Sequence, residues 1–269
     1  MAVKVETRSC ADCGQSFESR VVTKDGEEIP SDYGRQCPAC RLKADQAEGQ
    51  RKAEAELPRV IADQRLQWEV DSNLPYRFTD KTFANFKRQL QPKAYDTMKA
   101  YDNGQSILLM SPGIYGVGKT HLAAAVVNHI IRTGEAADIG QWNSIRRHRC
   151  PVLFISANDL VSRIKASFDR NGHGDTETEI YQRLEYVDLL IIDDVGKVRA
   201  RDPSFLQGVF FRVIDHRYSN EMDLILTTNL DYAELEEHIG GASADRLREM
   251  CKGNIVRMTG KSYRIEAAK

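Results

Sequence analysis

The sequence predicts an α/β fold, a parallel sheet covered by helices, preceded by a small cysteine-bearing module. Three observations carry this. Short apolar runs recur along the chain at Ser106–Met110, Val152–Ser156, Asp188–Ile192, Asp223–Thr227 and Asn254–Met258. Stretches of helical character separate them, and such alternation builds a parallel sheet with helices on both faces. Four of the six cysteines crowd the first 40 residues, leaving Cys150 and Cys251 isolated.

A chain of 269 residues accommodates one large domain and one small one. A hydrophobic content of 41% and a charged content of 29% fit a globular protein. No apolar run approaches the ~20 residues of a membrane span, so no membrane partner is expected. Met1–Cys10 lacks a hydrophobic signal core, so the expected location is cytoplasmic. A net charge of −1 excludes a globally basic nucleic-acid binder and leaves room for a local basic patch.

The first module spans residues 1–40. Cys10-Ala11-Asp12-Cys13 and Cys37-Pro38-Ala39-Cys40 each place two thiolates for one metal. Two such halves complete a closed tetrahedron, so the predicted ion is a structural zinc held by Cys10, Cys13, Cys37 and Cys40. The spacer, residues 14–36, is slightly longer than the usual ~15–20. Asp25-Gly26, between Val21-Val22 and Ile29, signals a hairpin turn, so a zinc-ribbon-like hairpin carrying both halves is expected. Its basic residues are balanced by acids, which favours contact with protein over DNA.

Residues 41–73 form a charged, alanine-rich connector, a solvated helix or tether that Pro58 should interrupt. Leu66, Trp68 and Val70 offer little for a core. The large domain then covers residues 74–269.

Its first apolar run leads into Gly113-Ile114-Tyr115-Gly116-Val117-Gly118-Lys119-Thr120, which fits G-x-x-x-x-G-K-[ST]. His121–Val127 follows with helix-favouring residues. Strand, glycine loop and helix in this order form a phosphate cradle. Backbone N–H groups turn inward, and the helix N-terminus favours negative charge. The expected nucleotide-binding set is Gly113, Gly116, Val117, Gly118, Lys119, Thr120 and His121. Lys119 would reach the β- and γ-phosphates of ATP, and Thr120 would hold magnesium.

Leu189-Leu190-Ile191-Ile192-Asp193-Asp194 is an apolar strand ending in acids, a Walker B pattern. Asp193 would hold magnesium and Asp194 would orient or deprotonate the attacking water. Leu226-Thr227-Thr228-Asn229 would place Asn229 against the γ-phosphate or that water. Between them Asp202 suits an N-cap and Pro203 the first helical position. Phe205, Leu206, Val209, Phe210, Val213 and Ile214 then form a core stripe at helical spacing. Near the end stand Asp245-Arg246-Leu247-Arg248 and Ser262-Tyr263-Arg264. One of these arginines could be supplied to a neighbour's γ-phosphate, and the residues alone do not choose between Arg246 and Arg248.

This motif order resembles the DnaC/IstB branch of AAA+ ATPases, which includes helicase loaders of the DnaC and DnaI type and the transposition helper IstB. Asn73–Phe78 and Thr82–Phe86 are similar to the segment that opens the family's ATPase domain. The resemblance covers about residues 74–266. It implies an AAA+ P-loop sheet without a full helical lid, ATP hydrolysis, Arg246 as the arginine finger and Arg264 as a second sensor. It also implies self-association into an ATP-dependent oligomer that grips single-stranded DNA. By position, Arg163, Lys165 and Phe168 (with Arg170), and Lys197, Arg199 and Arg201, are the DNA-contacting candidates. The expected partner is a DnaB-type replicative helicase, docked through the zinc module. The alternatives are an IstB-like helper of a transposase on duplex DNA, or a zinc-anchored adaptor switched by ATP with negligible hydrolysis. Asp194 stands where many AAA+ proteins use glutamate, and residues 135–150 form an apparent insertion.

Overall fold

The structure, a computed structural model, describes residues 2–24, 27–28, 35–102, 104–168, 174–197 and 203–263. The chain divides into two compact units, residues 1–64 with 137–148 and residues 65–136 with 149–269.

In the first unit, β1 (Ala2–Ser9) and β2 (Ser16–Lys24) form an antiparallel hairpin, registered from Ala2↔Thr23 to Ser9↔Ser16. β3 (Glu27–Glu28) pairs back onto β2 across Asp25-Gly26, which, like Ile29, lie outside the described residues. The two cysteine pairs do not share one hairpin. Cys10 and Cys13 occupy the β1–β2 turn, whereas Cys37 and Cys40 lie at the start of α1 (Pro38–Asp71). Pro38 takes the first helical position, where its missing N–H costs nothing.

α1 also corrects the expected interruption, because Pro58 lies inside it. The proline removes one donor, at a cost of about 3 kcal/mol in a helix interior. The flanking Ala, Glu, Gln and Arg residues favour helix strongly enough to continue on both sides. The apparent insertion is ordered as a hairpin, β5 (Ala137–Ile139) with β6 (Ile145–Arg147), and Asp138 pairs with Arg146 across it. Its turn holds Trp142 and Asn143 at φ 60° and 59°, with Trp142 89% exposed. Asn143 Nδ2 donates to the Gln46 carbonyl at 3.1 Å. Gly49 permits that approach, since a Cβ there would lie 2.7 Å from the same amide nitrogen.

In the second unit, α2 (Pro92–Lys99) precedes β4 (Ile107–Met110), the strand before the glycine loop. α3 (Lys119–Thr133), β7 (Val152–Ser156), α4 (Ala157–Ala166), α5 (Glu177–Tyr186) and β8 (Leu189–Val195) follow. Then come α6 (Pro203–Ser219), β9 (Asp223–Thr228), α7 (Tyr232–Ile239), α8 (Gly241–Met250) and β10 (Ile255–Arg257). All five apolar runs therefore become strands. They pair in parallel in the order β10-β4-β9-β8-β7.

α7 and α8 separate β9 from β10. α6 begins at Pro203 (Asp202 lies outside the described residues) and buries Leu206, Val209, Phe210, Val213 and Ile214 as one face. Trp68, expected to add little, is 1% exposed and lies against Gly134, while Leu66 and Val70 face solvent. Beyond α1, Asn73 Nδ2 donates to the Phe154 carbonyl and Phe154 N–H donates to the Ser72 carbonyl, tying this segment to β7. No described helix is long and apolar enough to cross a membrane.

Candidate nucleotide site and four-cysteine centre

The strand order makes the site. β4, β9 and β8 are neighbours, so the loops leaving their carboxyl ends meet, which is where open α/β sheets bind ligands. Gly113, Gly116 and Gly118 hold φ at 65°, 74° and 101°, a left-handed region open to glycine at little cost. Gly118 is left without room for a side chain as well, since a Cβ there would lie 2.6 Å from the Phe86 ring. The loop is tied to the next strand by Ser111 N–H on the Thr228 carbonyl and Gly113 N–H on the Asn229 carbonyl, both at 3.0 Å. Val117 is fully buried beneath it.

Lys119 opens α3, and its Nζ donates to Ser111 Oγ and Asn229 Oδ1. Asn229 Nδ2 in turn donates to Asp194 Oδ1 at 2.8 Å. Thr120 Oγ1 donates to Asp193 Oδ2 at 2.9 Å, and Thr227 Oγ1 donates to Asp193 Oδ1 at 2.6 Å. Burial pushes the Asp193 carboxyl up, against the opposing pull of the Thr227 and Thr120 hydroxyls. A buried carboxylate beside a threonine hydroxyl is an all-oxygen donor set suited to magnesium. Lys119, Thr120, Asp193, Asp194 and Asn229 thus converge in one linked network. Ser111 and Thr227 belong to it too, though the sequence did not single them out as site residues. Only Thr227's place in the Thr-Thr-Asn motif hinted at its role.

A cavity of about 270 Å³ opens over this network. On one side Phe86 meets His121 edge-on at 5.1 Å and Tyr263 at 5.9 Å. His121 Nε2 lies 3.0 Å from both the Thr82 carbonyl and Asn85 Oδ1. Both are acceptors, so Nε2 carries the proton, and burial lowers the ring's pKa toward the neutral form. Tyr263 N–H donates to the Gly116 carbonyl at 2.9 Å, which ties Tyr263 to the cradle. Its neighbour Arg264 lies outside the described residues. On the other side Lys197 pairs with Asp194 and stands 5.9 Å from the Tyr115 ring centre.

The remaining candidates lie elsewhere or are engaged within the chain. Arg246 forms an ion pair with Asp215, Nε lying 2.9 Å from Oδ1, and its guanidinium lies over the rings of Phe211 and Tyr218. Arg248 stacks on Tyr232 at 4.1 Å. On and after α4, Arg163 donates to Asn73 Oδ1, while Lys165 and Phe168 both flank Phe205. Arg170, Arg199 and Arg201 lie outside the described residues.

The four sulfurs of Cys10, Cys13, Cys37 and Cys40 lie within 4.8 Å of one another. Cys37 N–H donates to Cys10 Sγ at 3.2 Å, and this bond leads in lowering the Cys10 thiol to about 6. Hydrogen bonding with Cys13 and Cys37 raises Cys40 to about 12. One thiolate is thus favoured in advance among four converging sulfurs, a donor set that fits zinc.

A phosphate cradle after β4, with acids supplied from β8 and an amide from β9, places the chain among the AAA+ P-loop ATPases. Within that class it belongs to the family described as IstB-like ATP binding protein, whose profile matches residues 71–269. It is 31% identical over 134 residues to the replicative helicase loader DnaC of Buchnera aphidicola subsp. Baizongia pistaciae, covering 49% of this chain and 47% of that protein. It is 28% identical over 182 residues to DnaC of Escherichia coli strain K12, covering 64% and 65%. The chain thus spans about half to two thirds of the length of these relatives. Among solved structures, the fold is shared with a DnaC helicase loader (TM-score 0.53, 21% identity, 69% of this chain and 100% of that one). It is also shared with AMPPCP-bound DnaA from Aquifex aeolicus (TM-score 0.52, 21% identity, 72% and 54%).

Proposed function

We propose that this chain is an ATP-hydrolysing loader of a DnaB-type replicative helicase, acting on single-stranded DNA in the cytoplasm. The single observation that carries the ATPase part is the linked set Lys119–Asn229–Asp194 beside Thr120–Asp193. In it Lys119 binds the β- and γ-phosphates, and Thr120 and Asp193 hold magnesium. The ion neutralises phosphate charge when bound. Asn229 and Asp194 orient the attacking water. Phe86, His121 and Tyr263 wall the cavity beside the cradle. The similarity to DnaC proteins supports the helicase as partner, and the four-cysteine module, carrying zinc, is the part that docks on it.

Arg246 acts in trans, so hydrolysis needs an oligomer. Lys119→Ala should lose nucleotide binding by more than about 100-fold. Arg246→Ala should keep binding yet lose DNA-stimulated turnover by about 10³-fold. Normal turnover in the Arg246 variant removes the trans finger. A second reading, an IstB-like helper of a transposase, is favoured by the family that the chain belongs to. Affinity capture with a purified hexameric helicase and a purified transposase, with single-stranded and duplex DNA compared, separates the two.

A further inference from the structure

Lys197 was grouped by sequence with Arg199 and Arg201 as a DNA contact. The fold gives it another place, because it lines the nucleotide cavity together with Lys119, Thr120, Asp194 and Asn229. Its ammonium pairs with Asp194 Oδ2, while the other oxygen, Oδ1, accepts from Asn229 Nδ2 at 2.8 Å. The Asn229 carbonyl oxygen accepts from Lys119. Two lysines therefore bracket one amide–carboxylate pair, each at one end of a continuous chain of polar contacts.

The backbone fixes this geometry. Asp194 holds φ at 64°, and its N–H donates to Thr227 Oγ1 at 3.0 Å. Gly196 follows at φ 108°, packed so closely on Leu230 that a Cβ would lie 2.6 Å from that side chain. Lys197 N–H then turns back onto the Asp194 carbonyl at 3.4 Å. A tight turn leaving β8, with Tyr115 from the glycine loop beside the ammonium, sets Lys197 over the acid.

We propose that Lys197 is a γ-phosphate-binding residue that distinguishes ATP from ADP. The proposal rests on the ATPase reading above and deepens it. With the terminal phosphate absent, Lys197 stays on Asp194 and occupies one of its oxygens. A γ-phosphate carries more negative charge than a single carboxylate and draws the ammonium across. Oδ2 of Asp194 is then released toward the attacking water, while Asn229 keeps Oδ1 in place. ADP offers no such anion at that end of the cavity, so the pair stays closed.

The test is equilibrium binding of fluorescent ATP and ADP analogues to the full chain with magnesium. Wild type, Lys197→Ala and Lys197→Arg are compared, with Lys119→Ala as control and an oligo-dT titration alongside. Lys197→Ala should weaken ATP about tenfold and ADP by less than about twofold, the difference that one charge-assisted bond supplies. Lys197→Arg should restore most of the ratio. An unchanged ATP-to-ADP ratio overturns the proposal. So does a loss of oligo-dT binding with that ratio intact, which returns Lys197 to DNA contact. If Lys119→Ala binds both nucleotides like wild type, the ATPase reading fails first and the Lys197 proposal falls with it.

Discussion

The nucleotide cavity draws its side chains from the ends of three neighbouring strands, whereas the four-cysteine cluster draws on a turn and the start of a helix. Behind the first lies a continuous buried core of β-strands, α4, α5 and α6. Among its described residues the module holding the second has few buried apolar side chains, and Val3 and Val5 are exposed. The cavity is therefore placed by packing, and its ligands act on a preformed frame. On the proposed reading the cysteine module would take zinc for the frame itself, because a core this small offsets little chain entropy. If both proposed ions bind, a metal would serve as structure in one unit and would assist phosphate chemistry in the other.

The largest expected effect breaks that comparison at the cysteines. Removing zinc with a chelator, or substituting Cys37→Ser, should unfold the first module and leave the melting transition of the ATPase unit in place. Limited proteolysis and calorimetry on the full chain read both. Zinc uptake near pH 7 should also release protons into weak buffer, because Cys40, raised to about 12, is a thiol before the metal arrives. A module that keeps its protease resistance without metal would show that packing suffices there too.

The reverse perturbation belongs to the core. Phe210 is fully buried on α6, and Phe210→Ala should cost about 3–5 kcal/mol. In a unit of this size that corresponds to a fall of roughly 10 °C in melting temperature. One zinc per chain should remain bound. Loss of zinc together with the core would mean that the two units do not fold independently.

The sequence made the cavity legible because phosphate chemistry demands particular residues at fixed spacing. Gly113 to Thr120, Asp193 with Asp194, and Asn229 stand where strands end, and the apolar runs before them are long enough to read. The parallel sheet, though not its strand order, followed from the same runs. What stayed hidden depends on residues far apart in the chain. Arg217 is fully buried, and its guanidinium donates to the carbonyls of Leu184, Val187, Asp188 and Asp223, which no local pattern announces. Trp68 looked superfluous until Gly134 came beside it. Pro58 should end a helix by local rules, yet a long run of good helix formers carries the chain past it. Lys197 was read by its basic neighbours, but the turn through Gly196 decides what it touches.

The smallest expected effect concerns how Arg246 is held. A guanidinium has five N–H donors in a rigid fork. Arg246 is ion-paired through Nε with Asp215 and donates Nη1 to the Ala242 carbonyl at 3.1 Å, while Nη2 makes no hydrogen bond among the described residues. Phe211 and Tyr218 support the planar face at 5.2 and 5.7 Å. Held along one edge, the fork can present the other edge to a phosphate on an adjoining subunit with less side-chain entropy to lose. Both partners are partly solvated, so the pair is worth about 1 kcal/mol at most. Asp215→Ala should accordingly slow oligomer-stimulated hydrolysis about three- to fivefold, with nucleotide affinity unchanged. Asp215→Glu should recover most of the rate. Mixing Asp215→Ala subunits with Lys119→Ala subunits locates the defect. The slowing should persist when Asp215→Ala supplies the finger and disappear when it supplies only the nucleotide site. A defect that follows the nucleotide site instead would assign Asp215 to the wrong half of the interface.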